Sequence, residues 1–192
     1  MTTFVLATHN PHKVAELRRI LGDRLGEHDL IGYDGPAPIE DGDTFEENAL
    51  IKARAAYLET GKPSIADDSG IEVDFLDGAP GIDSAHYSGS RDAGENVRQV
   101  LANMVDAPER TARFVCVAAL VDGETEHTVR GVWPGRVLHA PAGEGGFGYD
   151  PIFEPDGVGR SAGELTDAEK DADSHRSRAF VELADILRGL YG

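Results

Sequence analysis

Cysteine, positive charge and long apolar runs are what this chain has least of. Its single cysteine, Cys116, can close no internal disulfide, and one thiol makes no zinc site. Set in the apolar stretch FVCVAAL, it reads as a small buried hydrophobe. No run approaches the roughly 18 apolar residues of a membrane span, and the opening MTTFVLATHN has neither a basic start nor a small-residue cleavage site. A reducing cytoplasm is the expected address. Lys and Arg number 18 against 35 Asp and Glu, a formal charge of −17. Such a surface repels nucleic-acid phosphate and anionic lipid, so neither nucleic acid nor membrane is an expected partner. A small anionic ligand must therefore find a locally positive site or arrive with a metal ion. Only four of the basic residues are lysines, which fits a salt-adapted source and a GC-rich genome equally.

What is present suits an ordinary globular chain: 192 residues, 40% of them apolar and 28% charged, room for one domain or one domain of two lobes. No internal repeat, low-complexity tract or long linker divides it, so residues 1–192 are expected to act as a single unit. Thr3 to Ala7 (TFVLA) reads as a buried strand ending at Thr8-His9-Asn10-Pro11, where Asn10 can cap a helix that Pro11 opens. Val14, Leu17 and Leu21 then share one helical face. A short strand near Asp29 to Gly32 precedes the breaker-rich loop DGPAPIEDGD, after which Thr44 starts a second helix with Glu47 placed as in a capping box. Ser64 to Ala66 and Ile71 to Phe75 read as two strands on either side of Asp67-Asp68-Ser69-Gly70, and Asn96 to Met104 reads as a helix. Arg113 to Val121 and Thr125 to Trp133 read as a hairpin turning at Asp122-Gly123-Glu124. The glycine-rich PAGEGGFGYDP follows, and a last helix spans about Ser177 to Gly189. Alternating strands and helices followed by a hairpin predict an α/β fold with a mixed sheet and flanking helices.

Several places could carry chemistry, each with a plainer alternative. The strand–THNPHK–helix junction offers first-turn amides, a positive dipole end and Lys13 to a phosphate, yet capping alone explains Asn10 and Pro11. Asp67-Asp68 sits at a strand end, where ligands collect in α/β sheets. If the strand continues, the two carboxylates point to opposite sides and have different tasks; otherwise they close an Asx-turn. Oxygen ligands of this kind suit Mg²⁺. Glu40 and Asp41, with Glu46 and Glu47, read first as helix-dipole complements, and Glu40 is also a candidate second metal ligand. Gly143 to Gly148 matches G-x-G-x-x-G formally, but no helical periodicity follows it, which excludes a dinucleotide loop; Phe147 could still offer a stacking face. Lys170, His175 and Arg176 form a compact basic patch in an acidic chain, or simply balance the acidic residues around them.

Taken in order, ATHNPHKVAEL, TFEENALIKA, ADDSGIEVD, GAPGIDSAHYSG, GVWPG, GGFGYDPIF and ELT-x-x-EK-x-x-x-SHR resemble the ITP/dITP/XTP pyrophosphatases, the Ham1-like or RdgB-like enzymes, over essentially the whole length. The resemblance implies a mixed-sheet fold with two lobes around a central substrate cleft, a homodimer, and Mg²⁺-dependent hydrolysis of (d)ITP and XTP to monophosphate and pyrophosphate. It implies triphosphate binding by Thr8, His9, Asn10, Pro11, His12 and Lys13. Asp68 would be the proton acceptor and a metal ligand, Glu40 the other metal ligand, and Ser69 a substrate contact. Base and sugar contacts would come from Phe147, Gly148, Tyr149, Asp150, Lys170, His175 and Arg176. Many relatives carry asparagine after the motif lysine, where this chain has Asp171. Rival readings are a pyrophosphatase of modified pyrimidine triphosphates, against which the FGYD and SHR blocks speak, and a nucleotide-binding module without turnover, against which Lys13, Asp68 and Lys170 together speak.

Overall fold

The computed structural model describes residues 1–192 and carries one six-stranded mixed sheet with five α-helices. The elements are β1 (Thr3–Leu6), α1 (Pro11–Leu21), β2 (Asp29–Gly32), α2 (Phe45–Thr60), β3 (Ser64–Val73), α3 (Ala93–Asn103), β4 (Thr111–Val121), β5 (Glu126–Val137), β6 (Phe153–Pro155), α4 (Asp167–Asp173) and α5 (His175–Tyr191). The strand order is β2-β1-β3-β4-β5-β6. β1 runs parallel to β2 and β3, whereas β6 is antiparallel to β5. β4 and β5 are joined by a tight turn in which the Asp122 N–H bonds the Thr125 carbonyl. The α/β class and mixed sheet expected from the sequence are those observed.

The chain divides into two compact units. The first comprises Met1–Asp68, Cys116–Gly131 and His175–Gly192. Its core gathers Phe4 and Leu6 of β1, Leu17, Ile20 and Leu21 of α1, and Phe180, Leu183 and Leu187 of α5 around Ile65 and Cys116. The α1 stripe forms because apolar residues recur every three or four positions, and α5 presents the matching stripe. The second unit comprises Ser69–Val115 and Val132–Ser174. Its core joins Ile71, Val100, Met104, Phe114, Trp133 and Phe153, with the rings of Phe114 and Phe153 4.3 Å apart.

Local readings change in several places. The two short strands around Asp67–Gly70 are one continuous β3, so no Asx-turn closes there. Glu47 does not complete a capping box: Thr44 Oγ1 accepts its N–H at 3.1 Å, but its carboxylate takes the N–H of Asp43, one residue too early. α3 begins at Ala93, capped by Asp92, three residues ahead of the apolar periodicity that marks it. α4 and β6 had no reading at all, since a seven-residue DAEKDAD helix has no apolar stripe. Its signal is the Thr166–Glu169 capping box, both halves of which form.

Candidate active site

In the first unit the site grows from the carboxyl end of β1 and the middle of β3. Asn10 caps α1 by accepting the N–H groups of His12 at 3.0 Å and Lys13 at 3.4 Å, and Pro11 has no N–H to offer. The first-turn amides expected for phosphate are therefore already engaged. The dipole end remains, and so does Lys13, which reaches back to Asp67 Oδ2 at 2.8 Å. Thr8 Oγ1 accepts the Asn10 N–H, and His9 Nε2 lies 2.8 Å from the Gly35 carbonyl oxygen with its ring against Tyr33.

Because β3 continues through the aspartate pair, Asp67 and Asp68 alternate across the strand and receive opposite environments. Asp67 is fully buried. Burial alone would raise its pKa, but Lys13, then Arg176 and Lys52, outweigh that and hold the carboxyl well below the usual carboxylate range. Asp68 is pushed up instead: burial dominates over the attraction of Lys52 and Lys13, and Asp67 adds like-charge repulsion. One neighbour is thus a fixed anion and the other a carboxylate with raised proton affinity, the division of labour expected where acid–base chemistry is done.

Lys52 of α2 ties two candidate ligands together. Its ammonium donates to Glu40 Oε2 at 2.7 Å and to Asp68 Oδ1 at 3.1 Å. Burial opposes its charge, yet Asp68, Asp67 and Glu40 raise its pKa. The sequence reading passed over Lys52, whose scarcity was its signal: it is one of four lysines, and it stands inside the TFEENALIKA block.

The residues present fit a hard divalent cation. Asp68 Oδ2 is buried without a hydrogen-bond partner, and Glu40, with 42% of its side chain exposed, converges on the same lysine. No group of three or more potential ligand side chains converges anywhere. Two carboxylates are donors of the kind that Mg²⁺ takes alongside substrate phosphates.

Arg176 and His175 open α5 and belong to this unit. Arg176 is 1% exposed, with its guanidinium on Glu16 and 3.6 Å from Asp67 Oδ2. The resemblance implies base and sugar contact for Arg176; the structure shows its guanidinium beside two carboxylates. Cys116 also borders Asp67, its Sγ 3.8 Å from Oδ2, and burial first, then that carboxylate, drives its thiol pKa up. It is an unreactive core residue, as its apolar surroundings suggest.

The second unit holds the other candidates. Asp150 and Lys170 form a buried pair at 2.7 Å, and Asp150 Oδ2 also accepts the Phe147 N–H at 2.8 Å. The Lys170 ammonium lies 4.8 Å from the Phe147 ring centroid, a cation–π arrangement that fixes the ring. Gly146 has φ +67°, and a Cβ there would stand 2.1 Å from Asp150 Oδ2, so only glycine lets the loop close over the carboxylate. Phe147 and Gly148 are half-buried, whereas Tyr149 is core, its hydroxyl donating to the Ser84 carbonyl at 2.7 Å. Ser69 follows Asp68 on β3 and begins this unit. No helix follows the glycine loop; a 3-10 turn at Asp150–Ile152 does, in keeping with the exclusion of a dinucleotide site.

Comparison with known proteins gives one answer. A model of the Ham1 family matches residues 4–186. The dITP/XTP pyrophosphatase of Leifsonia xyli is 52% identical over 194 residues, covering 99% of this chain and 98% of that protein. The dITP/XTP pyrophosphatase of Streptomyces coelicolor is 49% identical over 201 residues, covering all of both. The structure of a HAM1 protein from Coxiella burnetii superposes with a TM-score of 0.90 at 39% identity, covering 98% of this chain and 100% of that one. With its mixed sheet, its aspartate pair on β3 and a family match that spans both units, the chain belongs to the Ham1 family.

Proposed function

We propose that this protein hydrolyses aberrant purine nucleoside triphosphates, ITP, dITP and XTP, to the nucleoside monophosphate and pyrophosphate, clearing them from the nucleotide pool. The single observation that carries this reading is the aspartate pair on β3. Asp67 is locked as an anion between Lys13 and Arg176, while Asp68 keeps raised proton affinity and an unpartnered oxygen. Relatives of about 50% identity over the whole chain, named dITP/XTP pyrophosphatases, support it.

Hydrolysis needs a water aligned with the α-phosphorus, a proton acceptor and positive charge on the triphosphate. Lys13 faces the phosphates from α1, with Thr8 to His12 forming the turn that presents it. Asp68 takes the proton as the water oxygen bonds to phosphorus and the bond to pyrophosphate breaks. Lys52 keeps Asp68 in place through Oδ1. Mg²⁺, held by Asp68 and Glu40, would supply neutralisation of the phosphate oxygens and leaving group. Phe147 stacks on the purine, and Gly148, Ser69 and His175 supply further contacts; Tyr149, Asp150 and Lys170 act by fixing Phe147 and its loop. The whole chain, 1–192, is read as one catalytic unit, working as a homodimer in the cytoplasm.

Selection rests on the purine C6 substituent. Hypoxanthine and xanthine present an acceptor oxygen, adenine an amino donor, and a buried donor facing that amino group is left unpaired. The test is pyrophosphate release with Mg²⁺ at matched ITP and ATP, together with Asp68→Asn. Fast ITP turnover that ATP does not share, lost in the variant with ITP binding retained, is expected. Equal rates on ITP and ATP overturn the account of base selection, and no turnover on either overturns the enzymatic reading.

A further inference from the structure

A buried chain of four charges runs through the first unit and ends at the ligand side: Glu16 on Arg176, Arg176 on Asp67, Asp67 on Lys13. Three members are nearly inaccessible, with Glu16 at 5%, Arg176 at 1% and Asp67 at 0% exposure, whereas the Lys13 side chain keeps 14%. Glu16 lies one helical turn beyond Lys13 on α1 and meets Arg176 from the start of α5. Its spacing in KVAEL marks only a helix interior.

We propose that Glu16 is a positioning residue for the triphosphate, acting through Arg176 and Asp67 to hold the Lys13 ammonium in place. Buried ion groups contribute little net stability compared with apolar residues of similar volume, so a four-member chain in a core is poorly explained by folding alone. Its order explains it better. Asp67 Oδ2 is shared between Lys13 at 2.8 Å and Arg176 at 3.6 Å, a division in favour of the lysine. Glu16 makes that division possible by neutralising Arg176 from the other side. With Glu16 uncharged, the guanidinium has Asp67 as its compensating anion among these four, draws it closer, and loosens Lys13. A phosphate-gripping lysine that has lost its anchor binds the triphosphate less well before and during reaction, which raises KM more than it lowers kcat.

This inference rests on the assignment of Lys13 to the triphosphate, and its test has a readout independent of turnover. Glu16→Gln, Lys13→Ala and the double variant are compared for kcat/KM on ITP and for the Kd of inorganic tripolyphosphate with Mg²⁺, with Tm recorded for each. Glu16→Gln is expected to lose about 10–100-fold in both, the usual range for a residue that orients a ligand-binding group. The loss should appear mainly in KM. In the Lys13→Ala background the same change should cost less than about threefold, because the group it positions is gone. Glu16→Asp, which keeps the charge, should recover most of the loss and guards against a misfolded Gln variant. Losses that multiply independently, or a Glu16→Gln variant with lowered Tm and unchanged tripolyphosphate affinity, overturn the proposal. Absent ITP turnover in the unaltered protein would remove the proposed reaction, while tripolyphosphate affinity would still decide the role of Glu16.

Discussion

The two units each bury ionic groups, and they do so differently. In the second unit Asp150 and Lys170 form a buried pair, 2.7 Å apart and nearly inaccessible, with the Phe147 ring over the ammonium. In the first unit the ions form branches: Asp67 serves Lys13 and Arg176, Lys52 serves Asp68 and Glu40, and Asp68 Oδ2 is left over. A buried ion pair beneath a ring is suited to holding that aromatic face still. A branched network with an uncommitted oxygen can redistribute charge when a polyanion and its cation arrive. On the proposed function, the pair of the second unit would position the base and the network of the first would meet the triphosphate.

The comparison breaks most visibly if the buried Asp150–Lys170 pair is cut. Lys170→Met leaves the Asp150 carboxylate buried without its cation and should cost about 3–5 kcal/mol of stability. Adding Asp150→Asn should return much of it, as urea denaturation of the three proteins would show. A double variant no more stable than the single one would mean that the two charges do not depend on each other. In the branched region, Lys52→Met should lower kcat/KM on ITP by roughly 10²–10³-fold, in line with removal of a preorganised charge, and shift the Mg²⁺ dependence upward. Its Tm should move far less than that of the Lys170 variant; equal effects on both would erase the distinction.

Acid titration sharpens the contrast. The folded pKa of Asp67 is depressed, so its contribution to stability is present above the unfolded value of about 3.9 and is lost as pH falls below that toward the folded value. Stability should drop progressively below pH ~4, and Asp67→Asn should flatten that slope, measured by denaturant midpoints between neutral and acid pH. Gly146→Ala should cost about 1–3 kcal/mol from its left-handed backbone, aggravated by the 2.1 Å approach to Asp150, with Phe147 displaced. The smallest effect is global: screening of the −17 surface by KCl should raise Tm by a few degrees. A Tm flat from low to molar salt would discard it.

Much of the fold was legible. Apolar periodicity gives α1 and α5, the Asn10-Pro11 and Thr44 starts are where helices begin, and the short turn at Asp122 makes the hairpin. Legibility failed where local signals were weak or misleading. The charged DDSG stretch looked like a break, yet β3 passes through it because Lys13, Lys52 and Arg176 neutralise it from distant parts of the chain. DAEKDAD lacked a stripe and is held by its capping box instead.

Residue types, their order and their local periods were set by sequence alone: an acidic, cysteine-poor α/β chain with a paired aspartate, a first-helix lysine and a basic patch near its end. Which charge meets which was decided only by tertiary structure, because ion pairing depends on side chains 16 to 160 positions apart, as Lys52 with Asp68 and Arg176 with Glu16. That is why Asp67 and Asp68, identical neighbours in sequence, carry opposite pKa shifts. Burial and the placement of cations, neither of which has a local signature, set the two carboxyls apart.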